Sequence, residues 1–506
     1  MKGKTMHYPI GTVLSGKELE MFINRQVEDN ISHLYSKLGE FDGESSFFAM
    51  MQFIRYMDEL INIKLELGEI VAKEFLDIPI RDFPFDNNVM VAVNGFVIKF
   101  FGLEVAKRIS RVIAMVNEVA KAYNKHGLTE MSDLNTIDNM ISFLQSRRLN
   151  YVALIYMIPS KCHGTKKLET LDVLNEFQYY VDYFARPLTT AYHSLLLSKC
   201  IQRYEVMINE SVMCGNYEYH QLDEFFLEPQ RITPIQLRGL LTAQELQALS
   251  VKNRCTLYSF EELDNMCNDD AIYYDRFGGK VISKRKELRS LVNDMKQYFE
   301  DGYYIVVTDE QYDRIKHRYS SFVLCEDVDN YFDALNSRML FVHFNGKYYS
   351  NFFLLVRFYN NTLSKVLNRN RKYQINAGFL FEKQVIDVVK RYGFKNLNLK
   401  RVKRKEFDVV CVKDQCIFNF QCKDNEIRVN EINVGNISRD SRYHKTKYSY
   451  YNSALKKEIG RESLLKQKIG LKKIKHYIIT RFPVISDNDN IIPFNKLEER
   501  LKNSTI

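Results

Sequence analysis

The sequence predicts a multidomain chain of the α plus α/β class: a mostly helical N-terminal part, a mixed middle and a C-terminal third in the order α-β-β-β-α-β. Three observations predict it. From Gly16 to about Gly215 apolar residues recur at three- and four-residue spacing, the period of an amphipathic helix. From about Pro229 to Asn360 helical and strand patterns alternate. From residue 361 short apolar runs lie between long helical segments, and positive charge accumulates. The expected divisions are 1–228, 229–360 and 361–506.

In the first division, "KELEMFINRQVEDNISHLYSKL", "ESSFFAMMQFIRYMDELINIKLELGEIVAKEFL", "GLEVAKRISRVIAMVNEVAKAY" and "KLETLDVLNEFQYYVDYFA" each read as a helix, with Pro79 and Pro84 breaking the pattern between the second and third. "RPLTTAYHSLLLSKCIQRYEVMINESVM" reads as one more. In the second division, "LTAQELQALSVKNRCTLYSFEEL" reads as two helices around a turn, a plain hairpin before a DNA-reading one. "LRSLVNDMKQYFEDG" reads as a helix capped by its Gly. "YYIVVTD", "SFVLCED" and "MLFVHFNGKYY" read as strands. The last division predicts a helix over 374–392, strands over 397–402, 407–412 and 416–422, a helix over 438–457, a strand over 475–482 and a closing helix, "FNKLEERL". Asp414-Gln415 is short enough for a tight hairpin turn.

Composition narrows the function. The chain is 45% hydrophobic and 27% charged, as soluble globular proteins are. Its longest apolar stretch, "VMVAVNGFVIKFFGL", is shorter than the roughly 20 residues of a membrane span. The first residues lack the apolar segment of a signal peptide. A cytoplasmic protein without a membrane partner is expected. The nine cysteines show no C-x-x-C spacing, so reduced and mostly buried thiols are expected. "KCHG" sets a Cys beside a His without completing a ligand set. G-x-x-x-x-G-K-[ST] is absent, so nothing points to an NTPase motor. Residues 361–506 hold 32 Lys and Arg against 15 Asp and Glu, a net +17, while the first 360 residues carry −8. A basic third beside an acidic body suggests a polyanionic partner, or a basic solvated surface.

The stretch "EFDVVCVKDQCIFNFQCKDN" carries Asp408, Gln421 and Lys423 where a buried hairpin would carry apolar residues. Counting back from the turn, residue 408 pairs with about 421, and strand alternation sets Gln421 and Lys423 on one face. Upstream, "AGFLFEKQV" places Glu382 mid-helix among apolar residues, where a carboxylate needs a partner. Mg2+ prefers oxygen ligands and keeps several waters. Asp408 would bind it directly, Glu382 directly or through water, and the Gln421 carbonyl as a neutral third ligand. Lys423 would position the attacking water and stabilise charge on phosphorus. That is the site of a phosphodiester hydrolase, taking Mg2+ or Mn2+.

Gly-x-x-Phe-Glu on a helix, then Asp-x12-Gln-x-Lys on a hairpin, then a helix and a strand, resembles the PD-(D/E)xK nuclease superfamily, over about Tyr373 to Leu501. The Gln-x-Lys form resembles its Mrr-like members. The resemblance implies a restriction-endonuclease-like fold, with Asp408 as the metal-binding acid, Gln421 at a position usually Glu or Asp, Lys423 as the catalytic lysine and Glu382 as the first-helix acid. Phe407 stands where the family has Pro, and Gln421 removes one negative charge. The implied activity is a Mg2+-dependent DNA endonuclease in restriction or anti-phage defence. A nuclease-like nucleic-acid-binding or regulatory protein without catalysis, and an RNA-directed toxin nuclease, are the alternatives. A homodimer, and a partner protein bound through the N-terminal region, fit this reading.

Secondary candidates surround the site. Arg442, Lys445, Tyr448 and Lys456 on the following helix would touch phosphates. Tyr448, Tyr450 and Tyr451 would stack on bases, although at least one should pack on the sheet. His444 reads as a surface histidine ahead of an acid or base. "KRVKRKE", with Lys403, Arg404 and Lys405, reads either as a phosphate-contacting edge or as a charged edge that resists aggregation. Glu406, Asp424 and Glu426 are alternative acids, with Glu406 expected on the same face as Asp408.

Overall fold

The structure is a computed structural model, which describes residues 8–67, 69–81, 83–125, 134–173, 176–177, 180–209, 212–217, 242–248, 260–424, 435–481 and 484–503. The chain is a mixed α plus α/β multidomain protein. Among the described residues no helix is long and apolar enough to cross a membrane.

The N-terminal body is built from α1 (Gly16–Leu38), α2 (Gly43–Glu66), α3 (Glu69–Leu76), α4 (Asn87–Phe101), α5 (Leu103–Lys125), α6 (Ile137–Lys161) and α7 (Arg186–Cys200). Asp42 starts α2 by accepting from the Ser45 N–H at 2.8 Å. The helix expected over 44–76 is two, parting at Leu67. The one expected over 167–185 is helical at every described residue from Thr170 on, opening as a 3-10 turn, Thr170–Asp172, and closing as a π-helical turn, Val181–Ala185. The helix expected over 186–213 ends at Cys200. Alternation in "EVMIN" wins beyond it: β2 (Glu205–Asn209) and β3 (Val212–Gly215) pair antiparallel, and β2 also takes β1 (Val13–Ser15).

In the middle, α8 (Phe260–Tyr274) and α9 (Gly279–Met295) precede a sheet of order β4-β5-β7-β6: β4 (Phe299–Glu300), β5 (Tyr304–Thr308), β7 (Lys347–Asn351) and β6 (Val342–Phe344). The helix expected to reach Gly302 gives way at Met295. Gly302 (φ +64°) turns the chain between β4 and β5 instead of capping a helix. "SFVLCED" forms no strand; Phe322 and Leu324 are buried, and the Leu324 carbonyl accepts from the Phe341 N–H at 2.9 Å. Of the helical pair expected at 241–263, Ala243–Gln247 and the start of α8 are helical; the turn lies outside the described residues. α10 (Asp309–Arg318), α11 (Tyr331–Asn336) and α12 (Phe352–Leu367) complete this part. One apolar core draws on both parts, joining Phe47, Phe53 and Tyr151 to Tyr331, Leu335, Phe344 and Phe353. Residue 361 falls within α12.

The C-terminal part begins with α13 (Arg371–Arg391), whose first turn is capped by Asn370 accepting from the Tyr373 N–H at 3.0 Å. Five strands form one sheet of order β14-β13-β12-β11-β8: β8 (Lys395–Asn396), β11 (Val409–Lys413), β12 (Cys416–Lys423), β13 (Lys473–Thr480) and β14 (Ile491–Pro493). β11 and β12 are antiparallel about Asp414 and Gln415, both with positive φ, the conformation a two-residue hairpin demands. β12, β13 and β14 run parallel. The single strand expected over 397–402 is broken. Asn398 (φ +51°) ends pairing after β8, and Arg401–Val402 (β9) pairs instead with Lys405–Glu406 (β10) as a separate hairpin. α14 (Ile437–Ile459), α15 (Glu462–Ile469), which sequence reasoning had not placed, and α16 (Phe494–Lys502) complete it.

Alternation sorts the sheet's two faces. Val409, Cys411, Phe418, Phe420, Tyr477 and Ile479 form a core with Phe381, Val385 and Val389 of α13. Val410 and Ile417 pack with Leu465 of α15, and Ile478 with Tyr451 and Leu455 of α14. Burying a side chain such as Phe420 contributes about 2–3 kcal/mol. The C-terminal part also docks on the body: the Tyr192 hydroxyl donates to Asp440 Oδ2 of α14 at 2.5 Å, and the Tyr217 hydroxyl donates to the carbonyl of Ser486, between β13 and β14, at 2.5 Å.

Candidate active site

The register Val409 with Phe420 sets Asp408, one residue before β11, opposite Gln421 at the end of the sheet. There Gln421 Nε2 donates to Asp408 Oδ2, and the Cys422 N–H donates to the same oxygen at 2.8 Å. Lys423 follows at the last position of β12. Glu382 arrives from α13, with its side chain mostly buried. The structure thus brings Glu382, Asp408, Gln421 and Lys423 to one end of the sheet.

The electrostatics follow from that placement. Burial, then the neighbouring Glu382, push the Asp408 carboxyl up to about 6; the Lys423 ammonium and the Cys422 N–H pull the other way. Burial, with Asp408 and Glu382 nearby, also keeps the Cys422 thiol protonated. Two carboxylates held near each other in a half-buried setting supply the hard oxygen donors that Mg2+ takes, one or two per ion with water completing the shell. Asp408 and Glu382 carry donors of that kind. Among the described residues no three His, Cys, Asp or Glu side chains gather into a metal-binding group.

Two residues that sequence reasoning missed complete the site. The Lys400 ammonium pairs with Glu382 and donates to the Asp408 carbonyl at 3.1 Å. Lys400 opens the basic run, and nothing in linear spacing separates it from its neighbours. Arg461, between α14 and α15, donates from Nη2 to Gln421 Oε1 at 3.4 Å. Its guanidinium is held by Glu458, with Nε to Oε2 at 3.0 Å, and lies 4.5 Å from the Phe407 ring centroid. Glu458, 2% exposed, also accepts from Asn419 Nδ2 at 2.9 Å. A signal for this network was present: Tyr451, Leu455 and Glu458 share one helix face, so a carboxylate points inward and needs a partner.

The secondary candidates separate. Arg442, Lys445 and Lys456 are exposed on α14. The Tyr448 hydroxyl donates to Asp487 Oδ1 at 2.5 Å, Tyr451 is in the core, and exposed Tyr450 has its ring centroid 6.0 Å from the Lys423 ammonium. Lys403 and Arg404 form the turn between β9 and β10, both with positive φ, and Lys405 follows; all three are exposed. His444 is not a surface residue. It is 1% exposed, burial drives its pKa down to about 3, and its Nδ1 accepts from the Ile485 N–H at 3.3 Å. α14 turns this residue toward the body, with Asp440 and Ser441. Glu406 lies in the separate hairpin, exposed and paired with Arg401. Asp424 pairs with Arg481, and Glu426 lies outside the described residues. Comparison of the chain with protein-family models, with curated proteins and with solved structures finds no match.

Proposed function

We propose that the C-terminal part, from Arg371 on, forms a Mg2+-dependent endonuclease of the restriction-endonuclease-like fold, hydrolysing DNA phosphodiester bonds. The observation that carries this reading is the placement of a half-buried carboxylate, Asp408, beside a second carboxylate from another element and a lysine at the end of a mixed sheet. Such a grouping carries an electrostatic cost that a purely structural strand end would avoid. Asp408 and Glu382 would hold the ion. Bound there, it would polarise the scissile phosphate and lower the pKa of an attacking water. Lys423 places a positive charge where the phosphorane develops negative charge. Exposed Lys403, Arg404, Lys405, Arg442, Lys445 and Lys456 offer charge to the phosphate backbone. A restriction or anti-phage role rests on the resemblance alone.

A second reading, a nucleic-acid-binding protein without catalysis, draws on one observation: Lys400 already neutralises Glu382. One experiment separates them. Plasmid, linear DNA and RNA are incubated with the protein in Mg2+, Mn2+ or EDTA, beside Asp408→Ala and Lys423→Ala. Metal-dependent DNA cleavage lost in both variants is expected. DNA binding without cleavage supports the second reading, RNA-only cleavage redirects the substrate, and cleavage that survives both substitutions places the chemistry elsewhere.

A further inference from the structure

Gln421 is the one departure from a charged site, and its hydrogen bonds have a direction. An amide side chain offers an oxygen on one side and N–H groups on the other. Arg461 is donor-only, so it meets the Gln421 oxygen, at 3.4 Å. That turns Nε2 toward Asp408, where it donates to Oδ2. Rotating the amide by half a turn would set N–H against guanidinium on one side and carbonyl oxygen against carboxylate on the other. Both contacts are repulsive, and both hydrogen bonds would be lost. Arg461 has little freedom to yield. Glu458 grips it through two nitrogens, its side chain is 12% exposed, and Phe407, the neighbour of Asp408, lies beneath it.

We infer that Gln421 is not an oxygen ligand for the cation but the donor that orients Asp408, and that Arg461 is the positioning residue that sets the amide in that sense. The inference rests on the nuclease reading above for its role in catalysis. Asp408 Oδ2 is engaged by two donors, Gln421 Nε2 and the Cys422 N–H, which leaves Oδ1 as the oxygen it offers to an ion. A neutral amide is then a requirement. A carboxylate at 421 could not donate to Asp408.

Two measurements test this. In protein labelled with 15N-glutamine, the Gln421 side-chain amide is assigned by its disappearance in Gln421→Met. Its resonance is expected to shift in Asp408→Asn and in Arg461→Met. A resonance unmoved by Arg461→Met overturns the inference. In the second measurement, Mn2+ titration calorimetry is set beside cleavage kinetics. Arg461→Met is expected to lower kcat ten- to a hundredfold, as loss of an outer partner does, with Mn2+ affinity within about threefold of wild type. Arg461→Lys, which keeps charge beside Glu458, should recover part of the rate. The double variant should lose no more rate than Gln421→Met alone, because Arg461 acts through Gln421. A tenfold or greater loss of Mn2+ affinity in Gln421→Met, or losses that multiply, would overturn it. A wild-type chain that neither binds Mn2+ nor cleaves defeats the nuclease reading instead, and the resonance then decides the orientation by itself.

Discussion

Asp408→Asn should stabilise the metal-free protein. The folded Asp408 carboxyl titrates near 6, above the roughly 3.9 of an unfolded chain. Between those values the folded state holds the proton more tightly. Its contribution to stability is therefore fully present below about pH 3.9 and is lost as pH rises through about 6. Above that, the ionised group costs the fold free energy. A shift of about two units at about 1.36 kcal/mol each gives on the order of 2–3 kcal/mol. Asparagine keeps an oxygen that can accept from Gln421 Nε2 and the Cys422 N–H, and it removes the charge that faces Glu382. Scanning calorimetry of EDTA-treated protein at pH 8 should show the C-terminal transition about 4–12 °C higher in the variant. The gap should narrow as pH is lowered through 6 toward 5. Adding Mg2+ should raise the wild-type transition and leave the variant where it was. An asparagine variant less stable than wild type at pH 8, or a gap indifferent to pH, would refute the reasoning.

Other outcomes follow from the same structure. His193 and His444 are both driven by burial to about 3, from an ordinary value near 6.5. Because the folded values are depressed, the unfolded chain takes up more protons below pH 6.5, and stability falls as pH drops through that range toward 3. At pH 5.5 the two together should cost about 2–3 kcal/mol, read as a lower urea midpoint; His444→Gln should flatten that acid limb. Glu59, fully buried, is held by Arg108 at 2.7 and 2.8 Å. Arg108→Ala should cost about 3 kcal/mol in urea unfolding, since Arg55 alone is left to face that charge. Tyr192→Phe removes the hydroxyl that donates to Asp440 and should cost about 1–2 kcal/mol, visible as earlier proteolysis between body and C-terminal part.

The hairpin was legible because it is local. Two residues, Asp414 and Gln415, set the turn, and counting outward sets Asp408 against Gln421. The helices expected at 374–392 and 438–457 stand at 371–391 and 437–459, because each keeps a helical apolar period along its whole length. What escaped lies in connections, where no period exists. Lys400 sits between two short strands and Arg461 between two helices, and both reach the site only through tertiary placement. The expected helix over 186–213 failed for a related reason. Its second half alternates, and one of the two strands that pair with it, Val13–Ser15, is far away in sequence. His444 was misplaced because the body that buries it could not be read from the helix alone.

The hairpin turn also bears on the order in which these contacts form. Asp408 and Gln421 are 13 residues apart in the chain, whereas Gln421 and Arg461 are 40 apart. Loop-closure entropy makes the shorter contact cheaper by about 1 kcal/mol, and a two-residue turn closes it on the microsecond scale of hairpins. The carboxylate and amide therefore meet early, at low contact order, with both senses of the amide still accessible. Arg461, 40 residues from Gln421, should come later, and by the inference above it would then select between two senses of a pair that already exists.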